Sequence, residues 1–387
     1  MTEPSILLAG GGTGGHVFPM VAVADALREL YPALRLVFVG TARGLEARIV
    51  PERGYELELM EVAPLRGAGL SGFVRGVARA AGALPEARAL VRRLRPGAVL
   101  SIGGYAAGPV SLAARLLGVP LALMEPNAVI GLSNRLIAPL VQRAYTAFPE
   151  SERQFRTGVV LRSGVPIRAG FVPRPYTRSG PKLRVLVLGG SQGARALNEA
   201  VPEALARASC PIEVTHQCGR AHEDAVALRY RDAAGLQGVA VVPFIDDMPA
   251  AVASADLVIS RSGASAVSEI CAVGRPSLLV PYPYAAGDHQ RRNAESLAQA
   301  GAAVCIPSAN ATPERLAALI DELGAAPERL EQMAEAAAGL GRPHAARTIA
   351  RDLLGLCRVE PIRHDAGAEA CSVAPSPGDR VTLQEVA

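Results

Sequence analysis

The chain has no tryptophan, a single lysine and few aromatic residues, 4 % of its 387 positions. Lys182 stands alone among 40 basic residues, so arginine carries nearly all the positive charge. With alanine abundant as well, this is a compositional habit of the source, and arginine counts by themselves identify no site. Long apolar runs are missing too. The most hydrophobic region, 106–124, is broken by Pro109, Arg115, Gly118 and Pro120, short of the ~18 to 20 residues a bilayer crossing needs. No membrane-spanning helix is expected. Residues 1–9 read MTEPSILLA, without the basic start of an export signal, and point to the cytosol. The six cysteines, at 210, 218, 271, 305, 357 and 371, form no CxxC pair. That excludes a zinc knuckle or a disulfide framework as the organising device and leaves buried, reduced thiols.

What is present is enough for a large globular protein. Half of the residues are apolar, a fifth are charged, and mean hydropathy is +0.22 over 40.1 kDa, which suggests two or three domains, each with its own core. Charge is unevenly spread. Residues 1–178 carry 21 arginines against 12 acids, a net +9, and the remainder carries 19 basic against 24 acidic residues, a net −5. A basic first half suggests an anionic partner there, a phosphate ligand or a membrane surface.

Short β-rich runs alternate with helix-length stretches. Strands are expected at Ser5–Ala9, Leu34–Val39, Glu56–Met60, Ala98–Ile102 and Leu121–Met124. The pattern restarts at Lys182–Leu188 and continues through Val239–Val242, Leu257–Ile259, Ser277–Val280 and Ala303–Ile306. Near-continuous apolar strands between amphipathic helices indicate parallel sheets covered on both faces. The expected fold is therefore α/β, two Rossmann-like doubly wound domains in tandem. A Pro-, Gly- and Arg-rich connection, VPIRAGFVPRPYTRSGPK, separates them, and the boundary is set near residue 167. This gives a first domain at 1–166, completed by a helix at 343–356, and a second at 167–342. The polar, aperiodic residues 358–387 read as a disordered tail.

Three glycine-rich loops follow strands. The first, Gly10-Gly11-Gly12-Thr13-Gly14-Gly15-His16, leads into a helix expected from about Phe18; glycines admit close approach to a ligand, and a helix start offers free N–H groups to an anion. Its GxGxxG spacing also describes dehydrogenases, but the second strand ends Val39-Gly40-Thr41, without the acid that would hold a dinucleotide ribose. His16 either works at the carboxyl edge of the sheet or merely caps and packs a helix start. The second loop, Ser101–Pro109, is a further anion site or a tight turn. The third, Gly189-Gly190-Ser191-Gln192-Gly193, adds hydroxyl and amide donors. Three such loops together argue for diphosphate-type groups held between two facing sheets. Farther on, Ser260–Glu269 is a small-residue turn suited to phosphate, with Glu269 placed for ribose hydroxyls or simply solvated. Asp288–Asn293 fits a sugar or an ordinary wet helix start.

The ordered motifs GGTGGHVFP, SIGGYAAGP, EPN with GLSNR, SGVPIR, GGSQGARALN, FIDDM, RSGASAVSE and DHQRRNA closely resemble the MurG family of bacterial N-acetylglucosaminyltransferases. These are inverting GT-B-fold enzymes that convert lipid I to lipid II in peptidoglycan synthesis, and the resemblance runs from Ile6 to about Leu356. It implies UDP-GlcNAc as donor, lying mainly on the second domain. Ile245 would meet uracil, Glu269 the ribose, Ser191 and the turn Ala264, Ser265, Ala266, Val267 and Ser268 the diphosphate, and Gln290 the GlcNAc hydroxyls. Arg168 would reach the diphosphate from the hinge; Thr13, Gly14, Gly15 and Asn127 would reach the donor from the first domain. Where many members read QN, this chain has Pro126-Asn127, which removes one backbone donor. His16 is the expected base, since imidazole titrates near working pH.

No paired-carboxylate metal cradle is evident, so neither metal nor cofactor is expected, and no nucleic-acid partner. A polyprenyl-linked acceptor implies peripheral attachment to the anionic inner leaflet, on the cytoplasmic face of the membrane. Leu70, Phe73, Val74, Val77 and Leu84, among arginines in 65–94, form either the membrane surface or an ordinary core-facing helix. The competing readings are a UDP-GlcNAc 2-epimerase of the same fold, a Rossmann oxidoreductase and a nucleotide-sugar sensor.

Overall fold

The computed structural model describes residues 4–62, 82–104, 106–156, 158–178, 180–190, 192–232, 236 and 238–359. The first sheet contains β1 (Ser5–Gly10), β2 (Arg35–Gly40), β3 (Glu56–Leu59), β4 (Ala98–Gly103), β5 (Leu121–Glu125), β6 (Arg143–Thr146) and β7 (Val160–Arg162). The second contains β8 (Leu183–Leu188), β9 (Ile212–Gln217), β10 (Val239–Val242), β11 (Leu257–Ser260), β12 (Ser277–Leu279) and β13 (Ala303–Cys305). Every ladder is parallel, and the spatial orders are β3-β2-β1-β4-β5-β6-β7 and β10-β9-β8-β11-β12-β13. Both orders reverse beside the first strand, at β1/β4 and at β8/β11. Such a reversal opens a crevice at the carboxyl ends of the strands.

Central strands are apolar because helices cover both of their faces: β1 and β4 are buried at all six positions. β6, β7 and β9 escape the sequence reading. Arg143, Arg162, Glu213 and His216 interrupt their apolar pattern, and β7 has only three residues at a sheet edge.

The chain crosses between domains twice. After β7 the connection is anchored rather than loose. Ile167 and Phe171 pack into the second domain beside Met248 and Val252, and the buried Arg275 donates to the carbonyls of Arg174 and Pro175. The return crossing leads to the helix Ala345–Leu356, whose Ile349, Ala350, Leu353 and Leu354 complete the first domain's core with Val17, Val21 and Leu27. Asp352 on this helix accepts from the Arg143 guanidinium at 2.8 Å and the Tyr145 hydroxyl at 2.7 Å. The crossings meet at Gly164, where a side chain would run into Arg342.

The thiols of Cys218 and Cys271 are buried, those of Cys210, Cys305 and Cys357 are half-buried, and all five are unpaired. Burial pushes the Cys271 and Cys357 thiols up to about 12, so they are held as thiols. Residues 63–81 and 360–387, with Cys371, lie outside the described residues.

Candidate active site

The helix after the first glycine loop starts at Gly14 rather than near Phe18. Two glycines cost such a helix ~1 kcal/mol each against alanine. Thr13, in extended conformation, is the N-cap residue; its backbone carbonyl accepts from the His16 and Val17 amides at 3.1 Å each, with no side-chain capping bond. His16 therefore sits in the first helical turn, half-buried, with Nδ1 3.2 Å from the Gly11 carbonyl. Thr13, Gly14 and Gly15 surround it at the helix start. Beside them, the φ > 0 turn at Gly103 and Gly104 closes so tightly on the first loop that a side chain at Gly104 would lie 2.8 Å from the Gly11 carbonyl.

The acid missing from the end of β2 in sequence is present there in space. Glu46, 1 % exposed, accepts from the Thr41 amide at 2.9 Å and from the Gly12 amide at 2.7 Å. Its oxygens bond the glycine loop and are hidden from solvent, so it is no ribose ligand.

Asn127 follows β5. Glu125, also 1 % exposed, accepts from the amides of Asn127 and Gly131 at 3.0 Å each and from the Asn134 amide group at 2.9 Å. Burial pushes its carboxyl up while these donors pull it down. The loop around Pro126 is thus shaped by the Glu125 side chain. Asn127 Oδ1 accepts from Asn293 of the other domain at 3.1 Å, and Asn293 Oδ1 accepts from the Ala128 amide at 2.9 Å. Asn293 is fully buried and donates as well to the Ser262 carbonyl. Sequence reading grouped Asn293 with sugar contacts and gave no signal of this interdomain role.

On the second domain, the helix Ala264–Val273 begins after Gly263 with no side-chain cap. Its first amides, at 264–266, have no carbonyl one turn back to bond. Val267 differs: its amide bonds the Gly263 carbonyl and its side chain is core, 1 % exposed. The Ser265 hydroxyl is buried without a hydrogen-bond partner, a group that a ligand oxygen at this helix start would satisfy. One turn in, Glu269 accepts from Arg168 Nε at 2.9 Å and Nη2 at 3.1 Å. Burial pushes the Glu269 carboxyl up, and Arg168 opposes that. Gln290 accepts from the Tyr282 amide through Oε1 and from the Ser262 hydroxyl through its own carbonyl. Ile245 is half-buried against the Ile167 and Phe171 cluster. Arg261, inside the same motif, is a strut: its half-buried guanidinium donates to the carbonyls of Val280 and Pro281. Ser191 and Tyr105 lie outside the described residues. Among the described residues, no group of three His, Cys, Asp or Glu side chains could hold a metal ion.

The helices Gly14–Leu30 and Ala264–Val273, which follow β1 and β11, touch across the interdomain cleft. The structure brings together His16 with its loop, Asn127 with Asn293, and Arg168 with Glu269.

Two doubly wound domains facing each other through their switch points are the GT-B fold. The glycosyltransferase family 28 N-terminal domain matches residues 6–146, and the family 28 C-terminal domain matches 184–349. A protein of Sorangium cellulosum named UDP-N-acetylglucosamine--N-acetylmuramyl-(pentapeptide) pyrophosphoryl-undecaprenol N-acetylglucosamine transferase is 57 % identical over 94 % of this chain and 90 % of its own. A namesake from Anaeromyxobacter dehalogenans is 45 % identical over 91 % and 93 %. The crystal structure of Acinetobacter baumannii MurG superposes with a TM-score of 0.78 at 33 % identity, covering 91 % of this chain and 99 % of that one. The chain belongs to this transferase family, the MurG family. A UDP-GlcNAc 2-epimerase from Neisseria meningitidis, at TM-score 0.63 and 14 % identity, shares the fold alone.

Proposed function

We infer that the chain transfers GlcNAc from UDP-GlcNAc to the MurNAc C4 hydroxyl of undecaprenyl-pyrophosphoryl-MurNAc-pentapeptide (lipid I), with inversion, making lipid II. The observation that carries this reading is its kinship, along nearly the whole chain, to enzymes bearing that name. The division into an acceptor domain at 1–166, closed by 343–356, and a donor domain at 167–342 belongs to the same proposal.

The acceptor hydroxyl attacks GlcNAc C1 and its proton passes to His16. The C1–O bond to the β-phosphate breaks with its electron pair, and UDP leaves. Two demands follow: a base on the acceptor side and fixed donors for the charge gathering on the diphosphate. His16 serves the first. The amides at 264–266, the Ser265 hydroxyl and Arg168 serve the second, and Ser191 and Ser268 are assigned the same task; Val267, whose amide bonds the Gly263 carbonyl, offers the diphosphate no free donor. Ile245 takes uracil, Glu269 the ribose and Gln290 the sugar hydroxyls; Thr13, Gly14, Gly15 and Asn127 complete the donor site from the first domain.

The same proposal sets the enzyme peripherally on the anionic inner leaflet at the cytoplasmic face of the membrane. Among the described residues, no helix is long and apolar enough to cross a bilayer. Most of the 65–94 segment lies outside the described residues. Its described part, 82–94, holds the helix Leu84–Leu94, which turns Ala87, Leu90, Val91 and Leu94 into the core and is the ordinary core-facing helix. Better support comes from Leu112, Leu116, Leu132 and Leu136. All four are exposed, on two adjoining helices of the first domain that also carry Arg115 and Arg135, a pairing of apolar and cationic groups suited to an anionic interface.

The deciding experiment is transfer of labelled GlcNAc from UDP-GlcNAc to a lipid I analogue. UDP release strictly dependent on lipid I is expected. UDP release or epimerised donor without acceptor would reject the transferase in favour of an epimerase.

A further inference from the structure

We infer that Glu46 fixes the tautomer of His16 through a single peptide group, making Glu46 a positioning residue for the imidazole. The inference rests on the reading of His16 as base and deepens it.

The Gly11 carbonyl and the Gly12 amide are the two ends of one peptide. Glu46 Oε2 accepts from the Gly12 N–H at 2.7 Å, and His16 Nδ1 lies 3.2 Å from the Gly11 oxygen. A carbonyl oxygen has no hydrogen to give, so the bond forms only when Nδ1 carries the proton. In the neutral ring that leaves the lone pair on Nε2, the nitrogen able to take a proton from a hydroxyl. A carboxylate drawing on the N–H end of a peptide shifts electron density to its oxygen and makes that oxygen a stronger acceptor. The chain carboxylate, peptide, imidazole thus does what a direct carboxylate–histidine bond does in other enzymes.

Three features tie Glu46 to this task. Its other oxygen is held by the Thr41 amide at 2.9 Å and the Thr41 hydroxyl at 3.1 Å, so the side chain has one orientation. Only 1 % of it reaches solvent, so water does not screen the bond to Gly12. A side chain at Gly11, Gly40 or Gly44 would collide with it, so Gly11, part of the loop that reads as a phosphate cradle, makes room with Gly40 and Gly44 for an internal carboxylate. The charged groups of neighbouring elements are engaged elsewhere: Glu269 with Arg168, Asp352 with Arg143, Arg48 with Glu52.

The test is nitrogen NMR of the full-length enzyme labelled with 15N-histidine, with the His16 signals assigned by their loss in His16→Gln. Wild type is expected to show the Nδ1–H tautomer, and Glu46→Gln, which keeps the shape and loses the charge, a mixture of the two. Transfer by Glu46→Gln should fall at least ~10-fold in kcat while KM for UDP-GlcNAc stays within ~2-fold, the pattern of a misoriented base. Glu46→Asp, which keeps the charge, should recover part of the loss. An Nε2–H tautomer in wild type, which needs no variant to fold, overturns the inference, as does an unchanged tautomer in Glu46→Gln. Near wild-type turnover in His16→Gln sinks the base reading instead and leaves the tautomer result standing.

Discussion

Arg168 and Glu269, 101 positions apart in sequence, meet as a two-pronged ion pair, guanidinium nitrogens 2.9 and 3.1 Å from the two carboxylate oxygens. Arg168 is 42 % exposed and Glu269 13 %, so the pair itself is worth only ~1 kcal/mol to stability. Its larger consequence is geometric. The fork holds in one place the two groups proposed to meet diphosphate and ribose, and a donor engaging both exchanges one mutual contact for two of its own.

Arg168→Ala should therefore lower kcat/KM for UDP-GlcNAc ~10- to 100-fold, the range for one lost charge-assisted hydrogen bond. Arg168→Lys should recover little, because an ammonium lacks the fork. Initial-rate measurements at varied donor check this. A melting temperature that drops by many degrees in either variant would show the pair to be chiefly structural.

Replacing His16 by alanine should reduce kcat ~10²- to 10⁴-fold, as for loss of a general base. Equilibrium binding of UDP to the same variant should be little changed. Turnover close to that of the parent enzyme would remove His16 from the mechanism.

Asn293→Ala strips partners from the Ala128 amide, Asn127 Oδ1 and the Ser262 carbonyl at once. Unfolding free energy should fall by ~1 to 3 kcal/mol, and donor KM should rise as the domains separate. Solution scattering supplies the control: an unaltered radius of gyration together with unaltered KM would deny Asn293 its bridging role.

The fully buried His216 bonds the Tyr230 hydroxyl at 2.9 Å and Asn198 Oδ1 at 3.1 Å. Burial lowers its pKa from 6.5 to about 4. The unfolded imidazole gains a proton below pH 6.5, the folded one only near pH 4, so the folded state loses stability as pH falls through that window. The slope is ~1.4 kcal/mol per pH unit, or roughly 3 kcal/mol in all. Denaturant titrations from pH 7 to 4 should show a fall for His216→Gln that is shallower by one proton. Parallel curves for the two proteins would refute the assignment.

Strand periodicity and glycine loops were legible in sequence because a doubly wound sheet imposes both locally: an apolar run, then a turn where backbone meets ligand. Glu46 was not legible. It lies six residues beyond the end of β2, outside every motif, and only the fold returns it to Gly12. Asn293 escaped for a similar reason, since its partners Asn127 and Ala128 lie more than 160 positions earlier. Local pattern also misjudged where the first helix starts: Gly14 and Gly15 form its first turn despite their low helix propensity.

The helix Ala345–Leu356 closes the core of a domain whose sheet ends by residue 162. During synthesis the earlier lobe must wait for the ribosome to finish the later one before its own apolar trench is covered. A nascent or truncated chain stopping short of Ala345 would leave Val17, Val21 and Leu27 without this partner, a surface for chaperones and proteases. The two lobes are separable as sheets yet not as genes: cutting the coding sequence at the hinge would yield one half missing its keystone.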